Sequence, residues 1–157
     1  MKTILVPVDF SDVTPQVLSV ASSMAGAFAC RLVVIYVAEP EPDFVGFEPG
    51  PPSVGIGLCV ARDLKKEQQR LETMKDRLVA EGRDAMAFAM QGSAVDKILR
   101  EAREQNAGLI VMGSHGHGAI YNLLVGSVTS GVLKKATCPV LVVPAPRPAQ
   151  AREPLVE

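Results

Sequence analysis

The sequence predicts a single α/β domain in which a parallel β-sheet carries helices on both faces. Two observations support this fold class: short apolar runs rich in β-branched residues recur along the chain, and segments with helical spacing separate them. The length of 157 residues fits one domain, and the hydrophobic residues, at 48%, are numerous enough to fill its core.

Five segments are the predicted strands. Residues 4–8, 32–37, 109–112 and 140–143 are continuous apolar runs, which is typical of strands buried on both faces of a sheet. Residues 85–90 alternate Ala with Met or Phe, and this alternation indicates a half-exposed strand at one edge. Because parallel neighbours need a crossover connection, the helices between these strands complete a doubly wound domain.

Four helices are predicted between the strands. The second covers residues 62–81 and ends at Gly82, which suits a left-handed helix end, and the third begins at residues 93–96, where Ser and Asp have the spacing of a capping box. The last helix runs from near Gly126 to about Ala136. Apolar stripes mark the buried sides of the first two helices: Val13, Val17, Val20, Ala21, Met24 and Phe28 in the first, and Leu64, Leu71, Met74 and Leu78 in the second.

Segment 38–60 interrupts this pattern, because it holds five Pro and four Gly residues. We expect a mobile surface loop there, with an ordered lid as the alternative. The predicted domain therefore spans residues 1–144 and includes this loop, and residues 145–157 form a Pro-rich tail that we expect to be flexible.

The charge and apolar patterning exclude several classes of partner. With a net charge of −1, the chain has no excess of Lys and Arg for binding nucleic acid or an anionic membrane. No apolar run is long enough to span a membrane, and Asp9 follows the first run too early for a signal peptide, so we expect a cytoplasmic protein. Cys30, Cys59 and Cys138 are odd in number and widely spaced, so we expect reduced thiols and no zinc site.

Several residues that could bind an anion lie close to the ends of the predicted strands. In an open α/β sheet, ligands bind beyond the carboxyl ends of the strands, where the strand order reverses. The first strand ends at Asp9, the second ends at Val37, and the fourth runs directly into the glycine-rich residues 113–118, whose backbone N–H groups are accessible to an anion. Residues 126–129 then open the last helix with unpaired N–H groups and the positive end of the helix dipole. This pattern predicts a site for phosphate or another anion, although the Walker and G-x-G-x-x-G sequences are both absent.

The spacing of the glycines is more specific. Gly-x-x-Gly at 113–116, nine further residues, and then Gly-Ser at 126–127 resemble the nucleotide-binding signature of the universal stress protein family. Residues 4–9 and 138–143 also resemble that family, so the resemblance extends along the chain. It implies a sheet of strand order 3-2-1-4-5, a homodimer and, in the subgroup that carries this signature, bound ATP with Mg²⁺ as a candidate companion.

The resemblance also assigns residues by position. Pro7, Asp9 and Val37 are implied to hold the adenine and ribose end of the nucleotide. The glycine loop and the start of the last helix are implied to form the rest of the site: Gly113, Ser114, His115, Gly116, His117, Gly118, Gly126, Ser127, Val128 and Thr129. The implied strand order places residues 140–143 at a sheet edge, where pairing with the same strand of a second copy would cover both edges.

Several of these residues have alternative interpretations. Asp9 could simply cap the following turn together with residues 11–12. His115 and His117 are the only histidines and are too few for the usual four-ligand zinc site, so we expect them to face phosphate or solvent. Gly131, inside the last helix, is interpreted as a position of close packing between helix and sheet.

Three functions remain open at this stage: a regulatory module that binds ATP as a ligand, a slow ATP hydrolase, and an interaction protein of the same fold that binds no nucleotide. Residues 113–132 contain no Lys or Arg, so the sequence provides no side-chain cation there to stabilise phosphoryl transfer. We therefore predict no catalytic residue and at most slow hydrolysis. We also expect bound ATP to order segment 38–60.

Overall fold

The computed structural model describes residues 2–39, 55–114 and 125–145. These ranges contain, in order, β1 (Thr3–Val8), α1 (Thr14–Phe28), β2 (Arg31–Ala38), α2 (Gly55–Ala80), β3 (Ala85–Gln91), α3 (Ala94–Glu104), β4 (Ala107–Gly113), α4 (Ser127–Lys135) and β5 (Val140–Val143). The strands form one sheet in the order β3-β2-β1-β4-β5, and every neighbouring pair is parallel. The predicted fold class and strand order are confirmed. In the part of the chain that the structure describes, no helix is long and apolar enough to cross a membrane.

Two apolar cores lie on opposite faces of the sheet. In β1, Ile4 and Val6 face the core formed with α1 and α2, whereas Leu5 faces the core formed with α3 and α4, and all three are fully buried. Residues 32–35 of β2 are fully buried in the same alternating way. Burial of one such side chain contributes about 1.5–3 kcal/mol, so these two central strands supply a large share of the apolar stabilisation. The continuous apolar runs in the sequence reflect this burial on both faces.

Helix α1 packs on the sheet through Val17, Ala21 and Ala25, which repeat every four residues. The helix ends at Ala29, which adopts a left-handed φ of 50° before the chain enters β2. The prediction that Phe28 completes the buried stripe is wrong, because its side chain is 59% exposed. Helix α1 ends at Phe28, so this side chain lies beyond the turns of the helix that pack on the sheet.

Helix α2 begins earlier than the sequence pattern indicates. The predicted start is residue 62, whereas the helix begins at Gly55, where glycines in the first turn lower the local helix propensity. Ala38 belongs to β2, so the predicted loop over 38–60 is too long at both ends. Residues 40–54 of that predicted loop lie outside the described residues. At the other end of α2, Gly82 adopts the predicted left-handed conformation, with φ 78°.

Helices α3 and α4 pack against each other on the second face. Ser93 is the N-cap of α3, but its side chain makes no capping hydrogen bond, so the predicted capping box with Asp96 is wrong. In α4, a Cβ added to Gly131 would lie 2.7 Å from Cγ2 of Val95 in α3. The close packing expected at Gly131 is therefore present, but its partner is a helix and not the sheet.

Candidate functional site

The carboxyl edge of the sheet contains the reversal of strand order. β1 pairs with β2 on one side and with β4 on the other. β1 ends at Val8, which is paired with Tyr36, so the next residues, Asp9 and Val37, lie at the same level. β4 ends at Gly113 on the other side of β1. The ends of three neighbouring strands therefore meet where the sequence predicts a ligand site.

The corner between β1 and α1 is organised by the Asp9 carboxylate. Its Oδ1 accepts hydrogen bonds from the Ser11 N–H at 3.1 Å, the Ser11 hydroxyl at 2.6 Å and the Thr14 hydroxyl at 3.4 Å. This confirms the capping interpretation of Asp9. All three bonds are made to one oxygen, and the described residues place no donor on Oδ2. The carboxylate thus fixes the turn and still presents an acceptor at the edge.

The residue after Asp9 has a strained backbone. Phe10 has φ 60°, a left-handed conformation that costs a bulky residue about 1–3 kcal/mol. Its ring packs against Tyr36 with 5.0 Å between the ring centroids, and the guanidinium carbon of Arg70 lies 3.9 Å from the centre of the Phe10 ring. Aromatic and cation–π contacts of this kind each contribute about 0.5–1.5 kcal/mol, which offsets the strain. These contacts hold Phe10, and with it the backbone beside Asp9, in one position at the end of β1.

Sequence reasoning missed the cluster of Phe10, Tyr36 and Arg70. Arg70 lies on α2, far along the chain from Phe10, and no spacing rule connects the two residues. The one available signal was an aromatic residue directly after a strand-end carboxylate, and aromatic residues in that position are too common to be diagnostic.

The corner between β4 and α4 is held together by hydrogen bonds to the backbone. The Ser114 N–H donates to the Val143 carbonyl at 2.8 Å, and the Gly126 N–H donates to the Ser114 carbonyl at 2.7 Å. The Thr129 hydroxyl donates to the Gly113 carbonyl at 2.8 Å, and Thr129 is only 3% exposed. The two predicted glycine elements are thus joined directly, at the end of the strand and the start of the helix.

Within the described residues, the first turn of α4 and its N-cap provide no acidic side chain. Gly126, the N-cap, has extended backbone angles of φ −69° and ψ 165° and offers no side chain, and the first turn contains no acidic residue. The first N–H groups of a helix lack intrahelical acceptors, so the N–H groups of Ser127 and Val128 are donors at this edge. The helix dipole adds about half a positive charge at the same end. This arrangement can bind an anionic group.

The structure brings most of the predicted site residues to this edge. Asp9 and Val37 lie at the ends of β1 and β2, and Pro7 lies in β1 one residue before its end. Gly113, Ser114, Gly126, Ser127, Val128 and Thr129 form the corner of β4 and α4. His115, Gly116, His117 and Gly118 lie outside the described residues. Because the Thr129 hydroxyl donates its hydrogen to a backbone carbonyl, a contact between Thr129 and phosphate stays a prediction.

The start of the predicted tail is also fixed at this corner. The Ala145 N–H donates to the Ser114 hydroxyl at 3.3 Å, and Ala145 packs against the core formed with α1 and α2. The flexible tail predicted from residue 145 therefore begins one residue too early, and residues 146–157 lie outside the described residues.

The described ranges contain no group of three or more His, Cys, Asp or Glu side chains that could hold a metal ion. Cys30 and Cys138, the cysteines whose side chains are described, pack in cores on opposite faces of the sheet and cannot pair with each other. Burial raises the pKa of the Cys138 thiol, which favours the protonated, less reactive form.

The parallel sheet of this strand order defines a doubly wound α/β protein. Its candidate site lies at the carboxyl edge, where a strand-end carboxylate and a helix N-terminus meet the reversal of strand order. Residues 1–144 match the profile of the Universal stress protein family. The chain belongs to that family, and the family resemblance inferred from its glycine spacing is confirmed.

Individual relatives show the same relationship. The chain is 36% identical over 146 residues to the universal stress protein in the QAH/OAS sulfhydrylase 3′ region of Thermus aquaticus, and the match covers 90% of this chain and 98% of that one. Among solved structures it is similar to MJ0577 of Methanocaldococcus jannaschii, with a TM-score of 0.73, 26% identity, and 91% and 95% of the two chains covered. It is also similar to a universal stress protein in complex with cAMP, with a TM-score of 0.66, 26% identity, and 92% and 98% covered.

Proposed function

We propose that the protein binds adenine nucleotides at the carboxyl edge of its sheet and acts as a homodimeric regulatory module with ATP as its ligand. The observation that carries this proposal is the corner of β4 and α4, where the bond between Ser114 and Gly126 fixes the first N–H groups of α4 at the order reversal. A helix N-terminus at this position is a common phosphate site in open α/β sheets. Glycine at 113 and 126 keeps side chains out of the approach to these groups.

The charges of the two corners support one orientation of the nucleotide. The Asp9 carboxylate repels phosphate but can accept a hydrogen bond from a ribose hydroxyl at Oδ2, so the ribose belongs at the corner of β1 and α1. Val37 offers an apolar contact for the base at the end of β2. The phosphates then lie toward α4, whose N-terminus is positive. A relative of 26% identity was solved in complex with cAMP, which supports an adenine nucleotide as the ligand class.

ATP is proposed as a ligand and not as a rapidly turned over substrate. Residues 113–132 contain no Lys or Arg, so backbone N–H groups and Mg²⁺ brought in with the triphosphate would balance the phosphate charge. Hydrolysis should be slower than about 1 per second, the lower end for ordinary enzymes. The nucleotide would act by stabilising the form of the protein that binds it.

Isothermal titration of nucleotide-free protein tests the ligand. ATP should bind, and adenosine should bind more weakly because it lacks the groups that face α4. Mass spectrometry of small molecules released from the purified, denatured protein should show an adenine nucleotide. A titration in which ATP gives neither heat nor an increase in melting temperature would contradict the proposal and favour the interaction protein without nucleotide.

The outer edge of β5 supports the homodimer. The Pro139 carbonyl accepts a hydrogen bond from Ile110 of β4, and the Val143 carbonyl accepts one from Ser114 directly after β4. By alternation, Val140 and Val142 direct their backbone groups away from β4. Val140, Leu141 and Val142 are all partly exposed at this end of the sheet. Antiparallel pairing with β5 of a second copy would cover both edges in a closed two-fold contact.

Sedimentation velocity of two lysine variants tests this contact. Val142→Lys should give a monomer, because the two-fold pairing would bring the new charge close to its symmetry copy. Leu133→Lys adds the same charge on the exposed face of α4 and should leave a dimer. A wild-type monomer at micromolar concentration, or a Val142→Lys dimer, would contradict the homodimer.

A further inference from the structure

The edge of the sheet opposite β5 is occupied by a side chain. Gln68 lies on α2, and its Oε1 accepts a hydrogen bond from the Ala89 N–H at 2.8 Å, while its Nε2 donates to the Ala87 carbonyl at 3.4 Å. We propose that Gln68 closes the outer edge of β3 against pairing with β3 of a second copy of the chain. Assembly is thereby directed to β5. This inference does not depend on the nucleotide site, but its statement on assembly rests on the homodimer proposed through β5.

Hydrogen bonds at both ends of β3 identify the backbone groups that face outward. The Asp84 carbonyl and the Gly92 N–H both bond to residues of β2, at 2.8 Å and 2.9 Å. Backbone groups alternate along a strand, so the N–H and C=O groups of the even-numbered residues of β3 point to β2. Those of Ala87 and Ala89 point to the open edge of the sheet. Gln68 therefore binds the groups that an added strand would use.

The Gln68 amide reproduces the bonding of one residue in a parallel strand. In a parallel ladder, a residue donates its N–H to one residue of the neighbouring strand and accepts at its C=O from the residue two positions further on. Gln68 does the same with Ala87 and Ala89, using the two polar atoms of one planar amide. A second copy can pair with the centre of β3 only after Gln68 has left.

Two features hold Gln68 at this edge. The side chains of Ala85, Ala87 and Ala89 pack into the core on the α2 side of the sheet, and their small size allows α2 to approach β3. Glu72, one turn further along α2, accepts a hydrogen bond from Nε2 of Gln68 at 2.9 Å and pairs with Lys75. Glu72 is ionised at neutral pH and accepts there, and hydrogen bonds from Lys75 and Gln68 lower its pKa further.

The rest of β3 lacks the usual protection of an edge strand. Residues 85–91 contain no Lys, no Pro and no other charged residue, which are the common means of preventing strand addition. Two copies joined through β5 would present one β3 at each end. Pairing at those ends would join such dimers into an open chain of copies. Among the residues that the structure describes, Gln68 is therefore the side chain that separates a closed assembly from an open one.

Two alanine variants on the same helix test the proposal. Gln68→Ala removes both bonds to β3, whereas Gln69→Ala changes an exposed neighbour with the same effect on helix propensity. In sedimentation velocity at increasing protein concentration, Gln68→Ala should form species larger than the wild type, and Gln69→Ala should match the wild type. Under conditions that keep Gln68→Ala unassembled, its Ala89 amide should exchange hydrogen roughly 2- to 10-fold faster than in the wild type.

A second substitution separates edge pairing from misfolding. Gln68→Ala combined with Ala89→Pro removes the outward N–H without removing a bond to β2, so the larger species should disappear. A protein that aggregates because it is poorly folded would be made worse by the proline. The proposal is overturned if Gln68→Ala sediments like the wild type, if the double variant keeps the larger species, or if Gln68→Ala loses its native circular dichroism.

Discussion

The two corners at the carboxyl edge differ in whether the chain provides a carboxylate there. At the corner of β1 and α1, the chain supplies Asp9, whose carboxylate accepts the N–H and hydroxyl of Ser11. At the corner of β4 and α4, the N-cap is Gly126 and the first turn contains no acidic residue. The turn that leads into α1 thus contains a carboxylate of the chain, whereas the described part of the corner of β4 and α4 contains none. The difference teaches that a corner of the sheet is open to an anionic ligand where no carboxylate of the chain lies beside it.

An aspartate at the second corner would give both corners a carboxylate, and this change should have the largest effect. Gly126→Asp places a carboxylate over the first N–H groups of α4, in a backbone conformation that aspartate adopts without strain. It should stabilise nucleotide-free protein by about 0.3–1 kcal/mol through the cap and the dipole. Because like charges brought together cost several kcal/mol, ATP affinity should fall by more than about 100-fold.

Gly126→Asn is the matched control for that charge, since asparagine caps a helix without a negative charge. Titration calorimetry and thermal melts of both variants separate capping from repulsion. Wild-type ATP affinity in Gly126→Asp would show that the phosphates do not lie at α4.

Removal of the Thr129 hydroxyl should have an intermediate effect, on stability. Thr129→Val leaves the part-buried Gly113 carbonyl without its donor, which should lower the free energy of unfolding by about 1–3 kcal/mol. Thr129→Ser keeps the hydroxyl and should lose less. Denaturant unfolding checks the pair, and equal stability of the two variants would mean that the bond between Thr129 and Gly113 does not hold the corner together.

Asp9→Asn should have the smallest effect. The amide oxygen can still accept from Ser11, so the loss of stability should stay below about 1 kcal/mol. If the amide nitrogen replaces Oδ2, the acceptor proposed for the ribose is lost, and ATP affinity should fall roughly 3- to 10-fold. Calorimetry with ATP measures this change. An affinity loss as large as that of Gly126→Asp would contradict the assignment of ribose to one corner and phosphate to the other.

Local patterns in the sequence were sufficient to predict the strands, the helices and the parallel sheet, whereas the strand order was predicted from the family resemblance. Strands buried on both faces must be apolar throughout, and residues 32–35 show this directly. The edge position of β3 followed from its alternation of Ala with larger residues. The candidate site is predicted at the carboxyl edge by the rule that open α/β sheets bind ligands beyond the carboxyl ends of their strands.

The details that the sequence did not predict all depend on contacts between distant elements. Gln68 reaches β3, Arg70 reaches Phe10, and Gly131 meets Val95, in each case because of how closely two elements pack. Spacing and propensity describe neighbours along the chain and contain no information about such distances. Thr129 is the clearest example, since a hydroxyl at a helix start suits both a phosphate and a strand carbonyl, and only the placement of α4 shows that it bonds the carbonyl.

The central claim is that backbone N–H groups of α4 bind the phosphates, and Ser127 allows one of them to be removed. Proline is well tolerated at the first position of a helix, and the extended backbone of Gly126 is compatible with a following proline. Ser127→Pro therefore removes the N–H and the hydroxyl without disturbing α4, and Ser127→Ala removes the hydroxyl alone. In ATP titrations, we predict roughly 10- to 100-fold weaker binding for Ser127→Pro than for Ser127→Ala, because hydrogen bonds to charged groups are strong. Equal ATP affinity of the two variants, with native melting temperatures in both, would contradict the claim.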